Sequence, residues 1–146
     1  MFDLDSYLAG FFDGEGCVSV QFKSSYRGRG PYTRLVVSVG GIDRRPLGML
    51  QERFGGSVGR YASGDKRVIF QWFVSGSSAI PALMVLSKQC VIKAEQARLG
   101  LEIAQLMLKT RSSGRRKANT PVLAAEEIAR RTWLAERVTN LKYADA

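Results

Sequence analysis

Residues 8 to 16, Leu-Ala-Gly-Phe-Phe-Asp-Gly-Glu-Gly, constrain the fold more than any other stretch of this chain. Asp5 or Ser6 suits the role of N-cap, and Tyr7, Leu8, Phe11 and Phe12 recur at helical spacing, which predicts a short helix ending near Gly14. Gly10 and Gly14 stand four apart, so both share one helix face and remove the side chains that would hold another backbone away. A close helix neighbour is the natural inference. Glu15 then places a carboxylate where the last helix carbonyls already carry partial negative charge, at a cost of roughly 0.3–1 kcal/mol unless a cation answers it. A metal ion would be such a cation.

After this helix the periodicity changes from helical to alternating. Residues 17 to 23 set Val18, Val20 and Phe22 against Cys17, Ser19, Gln21 and Lys23, the pattern of a half-buried strand. Residues 24 to 31, rich in Gly and Arg, form a loop, and a second strand is expected from about Tyr32 to Val39 with Leu35, Val37 and Val39 inward and Arg34, Val36 and Ser38 outward. Asp43 is placed to cap a helix from about Arg44 to Phe54, with Pro46 in its tolerant first turn and Gly55-Gly56 at its end. Two more strands follow, about Ser57 to Tyr61 and Arg67 to Ser75, with Phe70, Trp72 and Val74 inward and Arg60, Arg67, Ile69, Gln71 and Phe73 outward. Helices from about Ser78 to Leu86 and Lys93 to Lys109 complete an α+β, αββαββα pattern with a four-stranded antiparallel sheet. Residues 1–109 thus form one core, 110–120 (TRSSGRRKANT) a basic linker, and 121–146 a segment whose helix, to about Leu141, packs on that core.

Composition narrows the chemistry. Lys plus Arg number 22 against 13 Asp plus Glu, a net charge of +9 that suits a polyanionic partner. Histidine is absent and the two cysteines, Cys17 and Cys90, form no CxxC pair, which excludes zinc chemistry and His-based catalysis. No apolar run is long enough for a membrane span, and the acidic start Met1-Phe2-Asp3 argues against a signal peptide, so an intracellular, reducing compartment is expected. Most of the acids fall at helix starts, in a turn or along helices without a convergent partner. Asp13 and Glu15 remain.

The stretch LAGFFDGEG resembles the signature of the LAGLIDADG homing endonucleases, with small residues and both acids at matching positions, and the αββαββα pattern matches that family's fold. The resemblance implies a homodimer for a chain with one signature copy. The two signature helices would pack across a two-fold axis through Leu8, Ala9, Gly10, Phe12 and Asp13, each delivering its last acid, Glu15, to a cleavage site. Glu15 and the Gly14 carbonyl, with phosphate oxygen, make a hard donor set that favours Mg²⁺, with Mn²⁺ able to substitute. Asp13 would cap or steady the helix contact. Lys93, in Ile-Lys-Ala-Glu-Gln-Ala, resembles the lysine that the family carries near the scissile phosphate, and either Arg44 or Arg45 stands where another basic residue often lies. The chain departs from the pattern at Gly41, where a glutamine is common.

The resemblance thus implies a Mg²⁺-dependent, sequence-specific double-strand DNA endonuclease encoded by a mobile intron. It would cut across the minor groove to leave short 3′ overhangs; archaeal cytoplasm and an organelle both stay open as its location. An RNA-binding intron maturase of the same fold is the alternative, and a DNA-binding regulator with a decayed site a second rival. The outward strand residues Ser19, Gln21, Lys23, Arg34, Ser38, Arg60, Arg67 and Gln71 are the expected base or phosphate contacts, with Ser25, Arg27 and Arg29 extending them. A strand of about nine residues spans ~30 Å, so two half-sites would cover roughly 18–20 base pairs of pseudo-palindromic DNA.

Overall fold

Asp3 starts the first helix. In the computed structural model, which describes residues 2–23, 32–62, 64–65, 67–111 and 125–143, its carboxylate accepts from the amides of Asp5 (3.1 Å) and Ser6 (3.4 Å) and from the Ser6 hydroxyl (2.7 Å). Asp3, and not Asp5 or Ser6, is therefore the cap, because its oxygens reach the two orphan amides of the first turn. The helix, α1 (Leu4–Glu15), runs one residue beyond the expected end at Gly14 and turns directly into strand β1 (Gly16–Lys23). Strand β2 (Tyr32–Gly41), helix α2 (Arg44–Phe54), strands β3 (Ser57–Ala62) and β4 (Val68–Ser75), a 3₁₀ turn at Gly76–Ala79, and helices α3 (Ile80–Gln89), α4 (Ala94–Arg111) and α5 (Ala125–Tyr143) follow. Helix α3 begins two residues later than expected because the backbone of Gly76, at φ 59°, first forms the tighter turn.

The four strands form one antiparallel sheet in the order β1-β2-β4-β3. Alternation carries straight across it: Val18 pairs with Val37 and Val37 with Val74, while Val39 pairs with Trp72 and Trp72 with Val58. This face meets Leu8, Ala9 and Phe12 of α1, Leu47 and Leu50 of α2, Leu83 and Leu86 of α3, and Ile103 of α4 in one core. Complete burial of a side chain such as Phe12 contributes roughly 1.5–3 kcal/mol. Trp72 satisfies its indole N–H by donating to the Gly55 carbonyl at 2.8 Å. Gly56 is obligatory beside it: φ is 87°, and an added Cβ would lie 2.5 Å from the Phe73 carbonyl oxygen.

Helix ends tie the layer together. Asp5 of α1 binds Arg53 at the end of α2 (2.9 Å), and the Ser6 hydroxyl donates to Gln89 at the end of α3 (3.1 Å). Helix α5 packs on α4 and on edge strand β1, burying Leu134, Ala135 and Val138. Arg131, almost fully buried, donates to Glu127 (2.9 Å) and to the Leu106 carbonyl (3.4 Å). Residues 110 and 111 still belong to α4, whereas 112–120 of the expected linker and the expected helix start at 121 lie outside the described residues. Among the described residues no helix is long and apolar enough to cross a membrane.

Candidate active site

Glu15 is the last residue of α1 and is exposed. The Gly16 amide closes the helix by donating to the Phe12 carbonyl, which leaves the carbonyls of Asp13, Gly14 and Glu15 without an intrahelical donor. Among the described residues Glu15 has no hydrogen bond or ion pair, although both a carboxylate and a helix C-terminus attract cations. The donor set is oxygen alone, which suits a hard divalent cation. Among the described residues no group of three or more Asp, Glu, Cys or His converges.

Asp13 points the other way and organises the turn before α4. Its carboxylate accepts from the amides of Val91 (2.7 Å) and Lys93 (2.9 Å). Burial alone would raise its pKa, but the Val91, Lys93 and Ile92 amides and the Cys90 thiol outweigh that and hold it below the usual carboxylate range. The expected capping role is thus exercised inside the chain, between the end of α1 and the start of α4. The same turn sets Lys93, whose ammonium donates to the Phe12 carbonyl at 3.2 Å and lies 5.9 Å from the Phe12 ring centroid. A cation is thereby fixed on the last turn of α1, three residues before Glu15. Cys90, in contact with Asp13, is buried; desolvation first, then the Asp13 charge, push its pKa up to about 12, so it stays a thiol and donates to the Ala9 carbonyl.

Arg44 and Arg45 occupy the first turn of α2 and both are exposed. Arg45 is committed to Asp43 through Nε (3.0 Å) and Nη2 (2.5 Å), an arrangement that holds the Asp43 carboxyl down to about 2. Arg44 has no ion pair among the described residues.

The glycine stripe of α1 is bare: nothing lies within 4 Å of a Cβ built at Gly10 or Gly14. Tyr7 and Phe11 flank it, their rings stacked at 6.5 Å. The expected contact residues Leu8, Ala9 and Phe12 do not lie there. All three are fully buried in the chain's own core and offer no surface to a partner, because the apolar side of α1 is used up by the sheet beneath it.

The face of the sheet opposite the core carries Ser19, Gln21, Arg34, Ser38 and Gln71, as their strand alternation predicts. Arg67 directly precedes β4 and is paired with Asp65 at 3.5 Å. Lys23 lies within β1, while Ser25, Arg27 and Arg29 fall outside the described residues. Arg60 is on the wrong side for the expected role. It stands opposite Phe70, two residues along from the buried Val58–Trp72 pair, so it shares the core-side face at the β3 edge and reaches solvent only because nothing covers that edge. Tyr61, its neighbour, takes the outer position, paired with Ile69. A second residue escaped the sequence pattern: Lys142 of α5 donates to the Cys17 Sγ at 3.2 Å, placing a cation at the start of β1, beside the α1 end.

No protein-family model matches this chain, and no curated protein is a significant sequence match. Solved structures do match. The chain is similar to the homing endonuclease I-CvuI, solved with its target and calcium, at 23% identity over 94% of this chain and 80% of that one, with a TM-score of 0.71. It is similar also to the archaeal intron-encoded homing endonuclease I-Vdi141I complexed with DNA, at 20% identity over 94% and 82% of the two chains and a TM-score of 0.74. With the homing endonuclease I-TnaI the likeness covers 99% of both chains at 17% identity and a TM-score of 0.67. The architecture is that of the LAGLIDADG homing endonucleases.

Proposed function

We propose that this chain, whose fold is that of the LAGLIDADG homing endonucleases, is a homodimeric, divalent-metal-dependent, sequence-specific DNA endonuclease. The observation that carries this reading is the pairing, on one helix, of a bare Gly10–Gly14 stripe with an exposed and unanswered Glu15 at its end. Two copies of α1 packed through that stripe would bring two Glu15 carboxylates together into one site. Glu15 and the Gly14 carbonyl of each copy would hold Mg²⁺ or Mn²⁺, which when bound supplies Lewis-acid stabilisation of phosphate charge and a more acidic water. That similar homing endonucleases bind their DNA target, one of them in the presence of calcium, supports the substrate and the type of ion.

The chain's own residues supply the rest. Lys93, held by the Asp13-capped turn, contributes fixed positive charge as water adds to phosphorus and the bridging P–O bond breaks. Arg44, the one of its pair not bound to Asp43, is placed to neutralise a neighbouring phosphate. The outer sheet face enters the major groove, where Gln21, Arg34 and Gln71 read base edges and Ser19 and Ser38 make shorter contacts. Lys142 adds charge where β1 leaves the cleavage centre.

The test is incubation of the purified protein with a randomised duplex library, in Mg²⁺ or in EDTA, followed by sequencing of the cut ends. The expected result is enrichment of pseudo-palindromic sites of roughly 18–20 base pairs, cut only with metal. Glu15→Gln should bind those sites and leave them whole. Specific binding by the wild-type protein without any cutting would refute the enzymatic reading, and absence of binding the whole of it.

A further inference from the structure

The outer face of the sheet is not uniform. Its β1–β2 part is polar, and a depression of about 240 Å³ there is lined by Ser19, Gln21, Arg34, Val36 and Ser38. Its β4–β3 part is more apolar: Phe73 and Ile69 of β4 and Tyr61 of β3 face outward, and a depression of about 420 Å³ is lined by Val36, Tyr61 and Phe73 together with the polar Thr33, Arg34, Gln71 and Ser75. Ile69 is 38% and Tyr61 50% exposed. The Tyr61 ring is folded down on the sheet, so close to Gly59 that a Cβ there would meet it at 2.9 Å. Gln71 of β4 carries the side-chain amide at the middle of this part. It stands between two glycines, Gly40 and Gly59, which leave its amide room on either side.

Apolar side chains on a surface that meets base edges have one good partner in the major groove, the C5-methyl of thymine; a glutamine amide pairs with the N6 and N7 of adenine. Both belong to the same base pair. We infer that the β3–β4 half of the sheet reads A·T pairs, seating thymine methyls on Tyr61, Ile69 and Phe73 while Gln71 bonds adenine, an inference that rests on the DNA-binding function proposed above. A guanine or cytosine placed against Ile69 and Tyr61 would exchange its water for apolar surface and leave polar edges unpaired, so that end of the patch disfavours G·C.

Strand register gives the position within the half-site. Gly16, which follows Glu15 directly, lies in one row with Val39, Trp72 and Val58. The β1–β2 hairpin extends from that row toward Lys23, whereas the Ile69–Tyr61 pair lies three residues beyond it in the opposite direction, about 10 Å away. Methyl readout by Ile69 and Tyr61 therefore falls on the cleavage side of each half-site, Phe73 stands next to the row itself, and hydrogen-bond readout falls on the outer side.

The experiment uses the full chain and the duplex that it selects by binding from a randomised library, with each thymine replaced in turn by 2′-deoxyuridine, which deletes the methyl and nothing else. The expected result is an A·T-rich inner segment and binding weakened about fourfold per contacted methyl there. Ile69→Ser or Phe73→Ser should bind thymine and deoxyuridine duplexes alike at one of those pairs; both positions are on the outer face, and Ile69→Thr provides a milder second variant. A G·C-rich inner segment, or a selected target bound equally with and without its inner methyls, would overturn the inference while leaving the endonuclease reading in place. Methyl sensitivity that persists in every variant would also overturn it. Failure to select any target would overturn the DNA-binding function and this inference with it.

Discussion

Gly10→Leu separates the helix from the interface proposed for it. A Cβ added at Gly10 meets nothing within 4 Å inside the chain, and the residue sits in the middle of α1, where glycine is a poor helix former. Replacement by leucine should therefore stabilise the isolated chain by roughly 0.5–1 kcal/mol, or about 2–4 °C for a domain of this size. At a helix contact the sign reverses. Overpacking costs about 1–3 kcal/mol at each site, and a two-fold axis presents the substitution twice, so association should weaken by about 30-fold or more. Sedimentation velocity over a dilution series measures the second effect; urea denaturation at a concentration where both proteins are monomeric measures the first. Unchanged self-association with retained folding would show that the glycine stripe is not the contact. A loss of monomer stability would show that Gly10 has an internal role that the geometry does not contain.

Other outcomes follow from the same structure. Asp13→Asn should cost roughly 1–3 kcal/mol at neutral pH, because the Val91 and Lys93 amides lose a charged acceptor. The folded-state pKa of Asp13 is lowered, so its contribution is present above the unfolded carboxylate value of about 3.9 and is lost as pH falls through the folded value. The gap between wild type and variant in urea midpoints should therefore close on acidification, and a constant gap would assign the loss to something other than the charge. Gly16→Ala should destabilise by about 1–3 kcal/mol, since its Cβ would meet the buried Phe12 ring at 2.2 Å; a calorimetric scan checks this. Arg60→Ala should leave the base preferences of the selected target unchanged, because Arg60 shares the core-side face. Binding should fall steeply with added salt if phosphate contacts dominate affinity, and a flat response would contradict the basic surface.

The sequence made legible whatever repeats with a regular period. Alternation in β1, β2 and β4 assigns Gln21, Arg34 and Gln71 to the outer face without any coordinates, and the acids and glycines of residues 8–16 mark the end of α1. Strand β3 is different. Its six residues, Ser-Val-Gly-Arg-Tyr-Ala, hold Val58 as the one large aliphatic side chain, too little to fix a phase, and only its pairing with β4 shows that Tyr61 and not Arg60 faces outward. Helix α1 is apolar on more than one side, so its sequence alone does not separate the residues spent on its own sheet, Leu8, Ala9 and Phe12, from those left for a neighbour. Lys142 meets Cys17 across 125 residues of chain, a distance over which local pattern carries no information.

One joint in this architecture limits how such a protein could acquire new targets. Helix α1 passes into β1 with no residue between Glu15 and Gly16. Inserting or deleting one amino acid here would slip β1 by one position and exchange its two faces, sending Ser19 and Gln21 into the core and Val18 and Val20 toward the groove. Under the proposed function, length change at this junction is thus closed, and target drift would proceed by substitution, one exposed side chain at a time, on a strand whose phase is held by its direct junction with α1.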